Sequence, residues 1–216
     1  MAWIDRPFCE VLGLPFAYDL GPGALSADAI AAPPPFRRAR AAVAYGTEAR
    51  RLVTRLKYSG RSDLAPWMAG MMTRPARELS EDHPIVVPVP LHRMRLVRRG
   101  SNQAAELARA LARRLELSMR GDLLVRSRAT RSQVGLGQKA RARNVAGAFA
   151  VPEGARSRLA GRTVLLVDDV FTTGATLSAC ARALRRGGAA HVDALTFARV
   201  VDDWDASATD WIPDVP

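Results

Sequence analysis

The sequence predicts an α/β domain with a mainly parallel sheet, because strand patterns alternate along it with helix patterns. Residues 85–89 and 163–168 are apolar and rich in β-branched side chains, which is typical of central parallel strands covered on both faces. Residues 101–117 and 175–186 instead carry apolar side chains at the spacing of an amphipathic helix. A length of 216 residues is enough for one such domain with small additions.

The first half of the chain supplies one further strand and two further helices. Residues 39–45 predict a short strand, and Thr47–Tyr58 predicts a helix with one apolar face. Residues 62–79 predict a second helix. Pro66 is tolerated in its first turn, because the N–H group that proline lacks would have no helical partner there.

The second half continues the alternation. Ser101 is the predicted N-cap of the helix at 101–117, and residues 122–126 predict a strand. Residues 130–144 are rich in Gly, Gln and Arg without apolar periodicity, which indicates a mobile loop or a broken helix. Residues 191–200 predict the last strand, so strands and helices alternate to the end of the domain.

Composition divides the chain into three parts. Residues 1–36 contain six of the 14 prolines and several glycines, which favours an irregular appendage without a core of its own. Residues 37–201 hold the predicted α/β domain. Residues 202–216 form a tail with five aspartates and no basic residue, and this tail also contains Trp204 and Trp211.

The charge balance favours a polyanionic partner. Lys and Arg number 32 against 21 Asp and Glu, which gives a net charge of +11. Nucleic acid and small phosphorylated metabolites are the expected partner classes. Arginine-rich codon usage is an alternative source of this excess, and it would spread arginines over solvated faces.

Other partner and location classes are excluded by simple patterns. The chain is 48 % hydrophobic and 25 % charged, which excludes disorder throughout, and it has no apolar run long enough to cross a membrane. Residues 1–8 lack the apolar core of a secretory signal. The two cysteines, Cys9 and Cys180, are too few for a disulfide framework, so we expect a cytoplasmic protein.

The most informative pattern lies at residues 164–176. A buried strand ends there in Asp168 and Asp169, whose carboxylates we expect to face solvent, and a turn with hydroxyl side chains and Gly174 leads into a helix. A helix N-terminus offers unpaired N–H groups to a phosphate, and carboxylates accept hydroxyl hydrogens or hold Mg²⁺. A sugar phosphate would satisfy this whole set. The pattern contains neither a Walker phosphate loop nor a Rossmann fingerprint.

This stretch resembles the 5-phosphoribosyl-1-pyrophosphate (PRPP) signature of type I phosphoribosyltransferases. The resemblance implies that Asp168 and Asp169 are the catalytic acids, which hold the ribose hydroxyls and Mg²⁺. It implies a cradle for the 5-phosphate formed by Thr172, Thr173, Gly174, Ala175 and Thr176. It also implies a pyrophosphate-binding loop after the earlier strand, with the residues Leu91, His92, Arg93 and Arg99.

Beyond the signature, the chain resembles the ComF family of competence-associated, amidophosphoribosyltransferase-like proteins from about residue 8 to residue 200. The matching segments are Leu56-Lys57-Tyr58 with Gly60, residues 87–92, Arg99-Gly100-Ser101-Asn102-Gln103, Thr130, Gln133, Arg141, Asn144 and Cys180. The resemblance implies a type I phosphoribosyltransferase fold with a mainly parallel sheet flanked by helices and a small irregular N-terminal appendage.

The N-terminus departs from the ComF pattern. ComF proteins usually begin with a zinc ribbon in which two Cys-x-x-Cys pairs supply four ligands. Here the four positions hold Cys9, Leu12, Ser26 and Ala29. A structural zinc ion needs four thiolate or imidazole donors, so we expect residues 1–36 to be a degenerate ribbon without zinc, supported by a small apolar cluster around Leu12 and Ala29.

The resemblance implies a reaction in which a nucleophile displaces pyrophosphate from C1 of Mg²⁺-bound PRPP. Residues 130–144 would close over the site as a lid, where Lys139 and Arg141 complete the anion cage.

Two non-catalytic functions stay open at this point. One is a sensor that binds PRPP or a nucleotide without turnover. The other is a single-stranded DNA-binding protein that acts with competence proteins, although aromatic residues are only 6 % of the chain and are absent from the basic run at 93–99. Salt separates the two, because DNA binding weakens steeply as salt rises.

Overall fold

A computed structural model describes residues 1–58, 63–92, 100–128 and 138–201. The strands are β1 (Ala39–Ala44), β2 (Ile85–Pro88), β3 (Val125–Arg126), β4 (Phe149–Ala150), β5 (Thr163–Phe171) and β6 (His191–Arg199). The helices are α1 (Ala27–Ala31), α2 (Thr47–Tyr58), α3 (Leu64–Glu78), α4 (Gln103–Arg114), α5 (Gln138–Val145), α6 (Arg156–Leu159) and α7 (Ala175–Arg186), with a 3₁₀ turn at Glu153–Ala155.

The centre of the fold is a four-stranded parallel sheet in the order β1-β6-β5-β2. Strands β3 and β4 form a separate antiparallel pair. The predicted α/β class with a mainly parallel sheet is therefore confirmed. Among the helices of the described ranges, none is long and apolar enough to cross a membrane.

Helices cover both faces of the sheet and bury two apolar layers. On one face α2, α3 and α4 pack with Met68, Leu107 and Phe197 in their core. On the other face the core contains Leu166 of β5 and Leu184 of α7, together with side chains from α5, α6 and β4. This two-sided burial explains why β2 and β5 are almost continuously apolar in sequence.

Several element boundaries match the sequence pattern and others correct it. Helices α2 and α7 begin and end where the sequence predicts. The predicted cap at Ser101 is wrong, because Asn102 caps α4: its side chain accepts the Ala104 N–H at 3.2 Å and also donates to Val89 O at 3.1 Å. The predicted strand at 122–126 shrinks to Val125–Arg126, since the residues before it form a turn.

Residues 130–144 are described only in part. Helix α5 spans Gln138–Val145, so the mobile-loop interpretation is wrong for residues 138–144 and the helical one holds there. Residues 129–137 lie outside the described part of the chain, as do residues 59–62 and 93–99. The closing motion of a lid stays a prediction.

The N-terminal segment continues the sheet edge and packs on it. Trp3 forms an antiparallel bridge with Val43, and the Ile4 N–H donates to Ala42 O at 3.1 Å. Ile4 and Phe8 are buried against alanines of β1. The segment therefore shares a small apolar cluster with the sheet, and the boundary at residue 36 stays a prediction.

The one cysteine of the degenerate ribbon sits in a nest of backbone donors. Cys9 is fully buried, and its Sγ accepts N–H groups from Leu12 at 3.4 Å and from Ser26 at 3.3 Å. Leu12 packs against the main core and Ala29 is buried. Burial alone would raise the pKa of the Cys9 thiol, but hydrogen bonding by Ser26 and the neighbouring N–H groups outweighs burial and lowers it.

We expect the purified protein to contain no stoichiometric zinc. Backbone N–H groups already occupy the Cys9 sulfur, and the three other ribbon positions offer an isobutyl group, a hydroxyl and a methyl group in place of thiolates. Elemental analysis after dialysis measures this directly. A content of about one zinc per chain that survives dialysis would contradict the prediction.

We also expect the acidic tail to stabilise the domain. Its residues, 202–216, lie outside the described part, but Val201 packs against the cluster of Ile4 and Phe8, so the tail starts beside the N-terminal segment. Deleting residues 202–216 should lower the melting temperature by several degrees, because burying one tryptophan is worth about 2–3 kcal/mol. An unchanged melting curve, with Trp204 and Trp211 fluorescence fully quenched by solvent, would show that the tail does not dock.

Candidate functional site

The candidate site lies where the chain leaves two neighbouring strands in opposite directions. After β2 the chain passes to α4 on one face of the sheet, and after β5 it passes to α7 on the other face. Adjacent parallel strands whose connections diverge in this way open a crevice outside their carboxyl ends. The Val89 N–H donates to Val167 O at 2.9 Å, which places the start of the crevice directly beside Asp168.

The two acids are consecutive residues within β5. The structure extends β5 to Phe171, because β6 pairs with it as far as Arg199. Asp168 and Asp169 therefore lie within the strand and not at its end. Asp169 is only 9 % exposed, so the expectation that both carboxylates face solvent is wrong for Asp169.

Asp169 forms an ion pair with a lysine of α2. Its Oδ2 lies 2.7 Å from Nζ of Lys57, at the end of α2. Burial works against the Lys57 ammonium, but Asp169 outweighs burial, so the pKa of Lys57 is raised. The Asp169 carboxylate is therefore already paired with a cation of the chain itself.

Asp168 has a different environment. Its Oδ1 accepts the N–H of Asp169 at 2.9 Å. Burial raises the pKa of Asp168 to about 8, the Asp169 charge adds to this, and Lys57 and Arg126 act in the opposite direction. A carboxyl group in this state readily takes a hydroxyl or a cation as partner, because either one favours the ionised form.

The turn between β5 and α7 has the geometry of an anion cradle. Thr172 and Thr173 are exposed, and Gly174 stands at the N-cap with φ +73°, where it offers no side chain to the N–H groups of the first helical turn. A Cβ on Gly174 would lie 2.4 Å from Cε2 of Phe171, so only glycine fits. Unpaired N–H groups at a helix start bind phosphate. Ala175 and Thr176 form the first positions of that turn.

The Phe171 ring, which lies against Gly174 of this turn, is held by two other side chains. The guanidinium of Arg199, at the end of β6, lies 4.0 Å over the Phe171 ring, and Phe36 meets that ring edge-on at 6.3 Å. Arg199 also donates to Leu12 O at 2.7 Å. The turn therefore rests on a ring that the N-terminal segment helps to hold in place.

The predicted pyrophosphate loop lies on the wall of a cleft. Leu91 and His92 line a cleft of about 500 Å³, together with Asn102 and Arg126. Pro90 also lines this cleft, and it follows Val89, whose N–H is bonded to Val167 O, so the cleft begins close to the acids. The predicted pyrophosphate ligands Arg93 and Arg99 lie outside the described residues, and so do the side chains of the lid residues Lys139 and Arg141 on α5.

Sequence reasoning missed two residues of this site as functional residues. Lys57 has a signal in the sequence, because it is one of only two lysines among 32 basic residues, and the other is Lys139. Arg126 has none: it stands among many arginines, and only the short β3–β4 pairing brings it to the cleft.

The donor set suits Mg²⁺ only if a ligand completes it. Within the described ranges no three His, Cys, Asp or Glu side chains come together as a metal site. Asp168 and Asp169 offer carboxylate oxygens, one of which is bonded to Lys57. Mg²⁺ in proteins is typically held by one or two carboxylates together with phosphate oxygens of a substrate. The two acids fit this arrangement, in which phosphate oxygens of a substrate complete the coordination of Mg²⁺.

The comparisons with known proteins agree with this geometry. The family model described as "Phosphoribosyl transferase domain" matches residues 101–212. DNA utilization protein YhgH of Escherichia coli (strain K12) is 30 % identical over 202 residues, which cover 91 % of this chain and 86 % of that protein. Competence protein F of Haemophilus influenzae is 31 % identical over 153 residues, which cover 68 % of this chain and 66 % of that protein.

A similar solved structure is the glutamine PRPP amidotransferase from B. subtilis. It has 19 % sequence identity and a TM-score of 0.43, over 66 % of this chain and 30 % of that one.

Proposed function

Because the chain belongs to the phosphoribosyl transferase domain family, and within it to the ComF family, we propose that it binds PRPP with Mg²⁺ and transfers the phosphoribosyl group to a nucleophile. The observation that carries this proposal is the β5–α7 unit. It presents two acids within the strand and then an uncapped helix start at Gly174, beside the crevice between β2 and β5.

Each part of the ligand has a matching part of the site. The 5-phosphate would lie on the N–H groups of the turn at residues 172–176, with hydroxyl donors from the threonines. The ribose hydroxyls would donate to Asp168 and Asp169. The pyrophosphate would enter the cleft lined by Leu91 and His92, where the Arg126 guanidinium supplies a positive charge. Arg93 and Arg99 are the further pyrophosphate ligands that we propose.

The residues of the chain would act mainly by positioning. Mg²⁺, when bound, would offset the charge of the leaving pyrophosphate. The turn and the acids would hold the ribose at both ends, so that C1 faces an incoming nucleophile. His92 and Arg126 would stabilise the negative charge that develops on the leaving group. A lid that includes α5, with Lys139 and Arg141, would exclude water from the reacting atoms.

The names of the relatives support a role for this chemistry in DNA utilization and competence. The test has to separate three alternatives: binding of a related ribose 5-phosphate ligand, sensing of PRPP without turnover, and binding of single-stranded DNA. A transferase releases pyrophosphate when a mixture of small metabolites supplies its acceptor, whereas a sensor returns PRPP intact.

The test is a calorimetric titration of the full chain with PRPP, with and without Mg²⁺, and with a single-stranded oligonucleotide, each at two salt concentrations. We expect saturable binding of one PRPP per chain that strengthens with Mg²⁺. Its salt response should be shallow compared with that of DNA, which loses about 10³–10⁵ in affinity between 50 and 200 mM salt for 6–10 phosphate contacts. Absence of PRPP binding, with steeply salt-dependent oligonucleotide binding, would overturn the proposal in favour of the DNA-binding function.

A further inference from the structure

The salt bridge between Lys57 and Asp169 occupies one of the few oxygens that the site offers to a cation. The two atoms, Nζ and Oδ2, are 2.7 Å apart. The Lys57 side chain is 27 % exposed and that of Asp169 is 13 % exposed, so the contact is largely shielded from water. In the part of the chain that the structure describes, no other ion pair involves Asp169.

Residue usage along the chain singles out the same position. Two of the 32 basic residues are lysines, so an arginine stands at thirty of them. Arginine and lysine are not interchangeable, because an ammonium is a compact point charge and a guanidinium is a wide planar fork. Arg50, Arg51 and Arg55 are exposed elsewhere on α2, and the helix changes to lysine at the position that meets the acids.

A polyanion that enters this crevice has to approach two neighbouring carboxylates. Without a cation the charge of Asp169 would repel its phosphates, and in a shielded site such repulsion is several-fold stronger than in water. A divalent cation relieves this repulsion, and so does the Lys57 ammonium. Both would seek the same oxygens of the acid pair.

We propose that Lys57 is the resident counter-ion of the acid pair: it holds Asp169 in the empty site and competes there with a divalent cation for the same carboxylate. This inference rests on the proposed function for the identity of the polyanion, but not for the competition itself. Lys57 is in this sense a positioning residue.

The proposal predicts effects of opposite sign from one substitution. Lys57→Met removes the competitor, so binding of a divalent cation alone should become tighter, by about fivefold or more. The same change leaves the Asp169 carboxylate uncompensated, so PRPP without a divalent cation should bind about tenfold more weakly. A merely structural role would weaken both.

Titrations of the full chain with Mn²⁺, monitored by electron paramagnetic resonance, measure the affinity for a divalent cation. Calorimetry without a divalent cation measures the affinity for PRPP. Arg55→Met is the matched control, because it removes one positive charge from the same helix without touching the acids. It should change neither affinity by more than about twofold, as an exposed, screened charge does. In Asp169→Asn with Lys57→Met the gain in Mn²⁺ affinity should disappear.

Melting curves show whether each variant is folded, and Lys57→Gln replaces Lys57→Met if the latter is not. Unchanged or weaker Mn²⁺ binding by a folded variant would overturn the assignment of Lys57. If the wild-type chain binds no PRPP while Lys57→Met still gains Mn²⁺ affinity, the proposed function fails and the counter-ion role stands.

Discussion

Replacing both acids, as Asp168→Asn with Asp169→Asn, is expected to abolish binding of PRPP with Mg²⁺ and to leave the fold intact. The amides keep the size of the carboxylates, but they lose the charge that attracts a metal ion and strengthens hydrogen bonds from hydroxyl groups. Two charge-assisted hydrogen bonds are worth about 3–6 kcal/mol together, which is a loss of about 100-fold or more in affinity.

The fold should survive because the packing around Asp168 and Asp169 does not depend on their charges. Burial already works against ionisation of Asp168, so a neutral amide suits that position. Lys57 loses its partner, but its side chain is 27 % exposed and can reach water. Calorimetry and a melting curve measure the two effects. Asp82→Asn is the matched control, since Asp82 pairs with Arg37 away from the site. An unchanged PRPP affinity in the double variant would show that the site is wrongly placed.

Gly174→Ala is expected to damage both stability and phosphate binding. An alanine at φ +73° costs about 1–2 kcal/mol, and its Cβ would lie 2.4 Å from the Phe171 ring. That ring cannot move away freely, because Arg199 and Phe36 hold it. Crowding of this kind costs about 1–3 kcal/mol more. The total of about 2–5 kcal/mol corresponds to a fall of about 4–20 °C in melting temperature for a chain of this size.

The same change would displace the N–H groups of the turn, so PRPP binding should be lost even at temperatures where the variant is folded. Gly154→Ala is the control, because a Cβ there meets no atom within 4 Å. A Gly174→Ala variant that melts with the wild type and binds PRPP equally well would show that the turn is neither tight nor part of the site.

The sequence was sufficient for the elements that are stabilised by local patterns. The apolar stripes of α2 and α7 and the β-branched runs of β2 and β5 predict those elements and the parallel sheet, because burial on one or both faces leaves a period in the residues. The order of residues from Asp168 to Thr176 also located the turn, since glycine and hydroxyl groups in that order serve a special backbone shape.

The errors come from long-range contacts that leave no local pattern. Two consecutive aspartates predict the end of a strand, yet β5 continues, because β6 pairs with it and Lys57 compensates Asp169 from a position far away in sequence. Asn102 caps α4 in place of Ser101 because its amide also reaches Val89, which only the folded chain brings near. Arg126 enters the site because β3 pairs with β4, and the two-residue strand β4 is too short to predict.

A crystal structure of the protein soaked with PRPP and Mg²⁺ tests the central claim most directly, because it places each part of the ligand. The account predicts the 5-phosphate within hydrogen-bonding distance of the N–H groups of the turn at residues 172–176. It also predicts the ribose hydroxyls on Asp168 and Asp169, and the pyrophosphate in the cleft of His92 and Arg126. Ligand density elsewhere, or an empty turn at a PRPP concentration that saturates binding in solution, would contradict it.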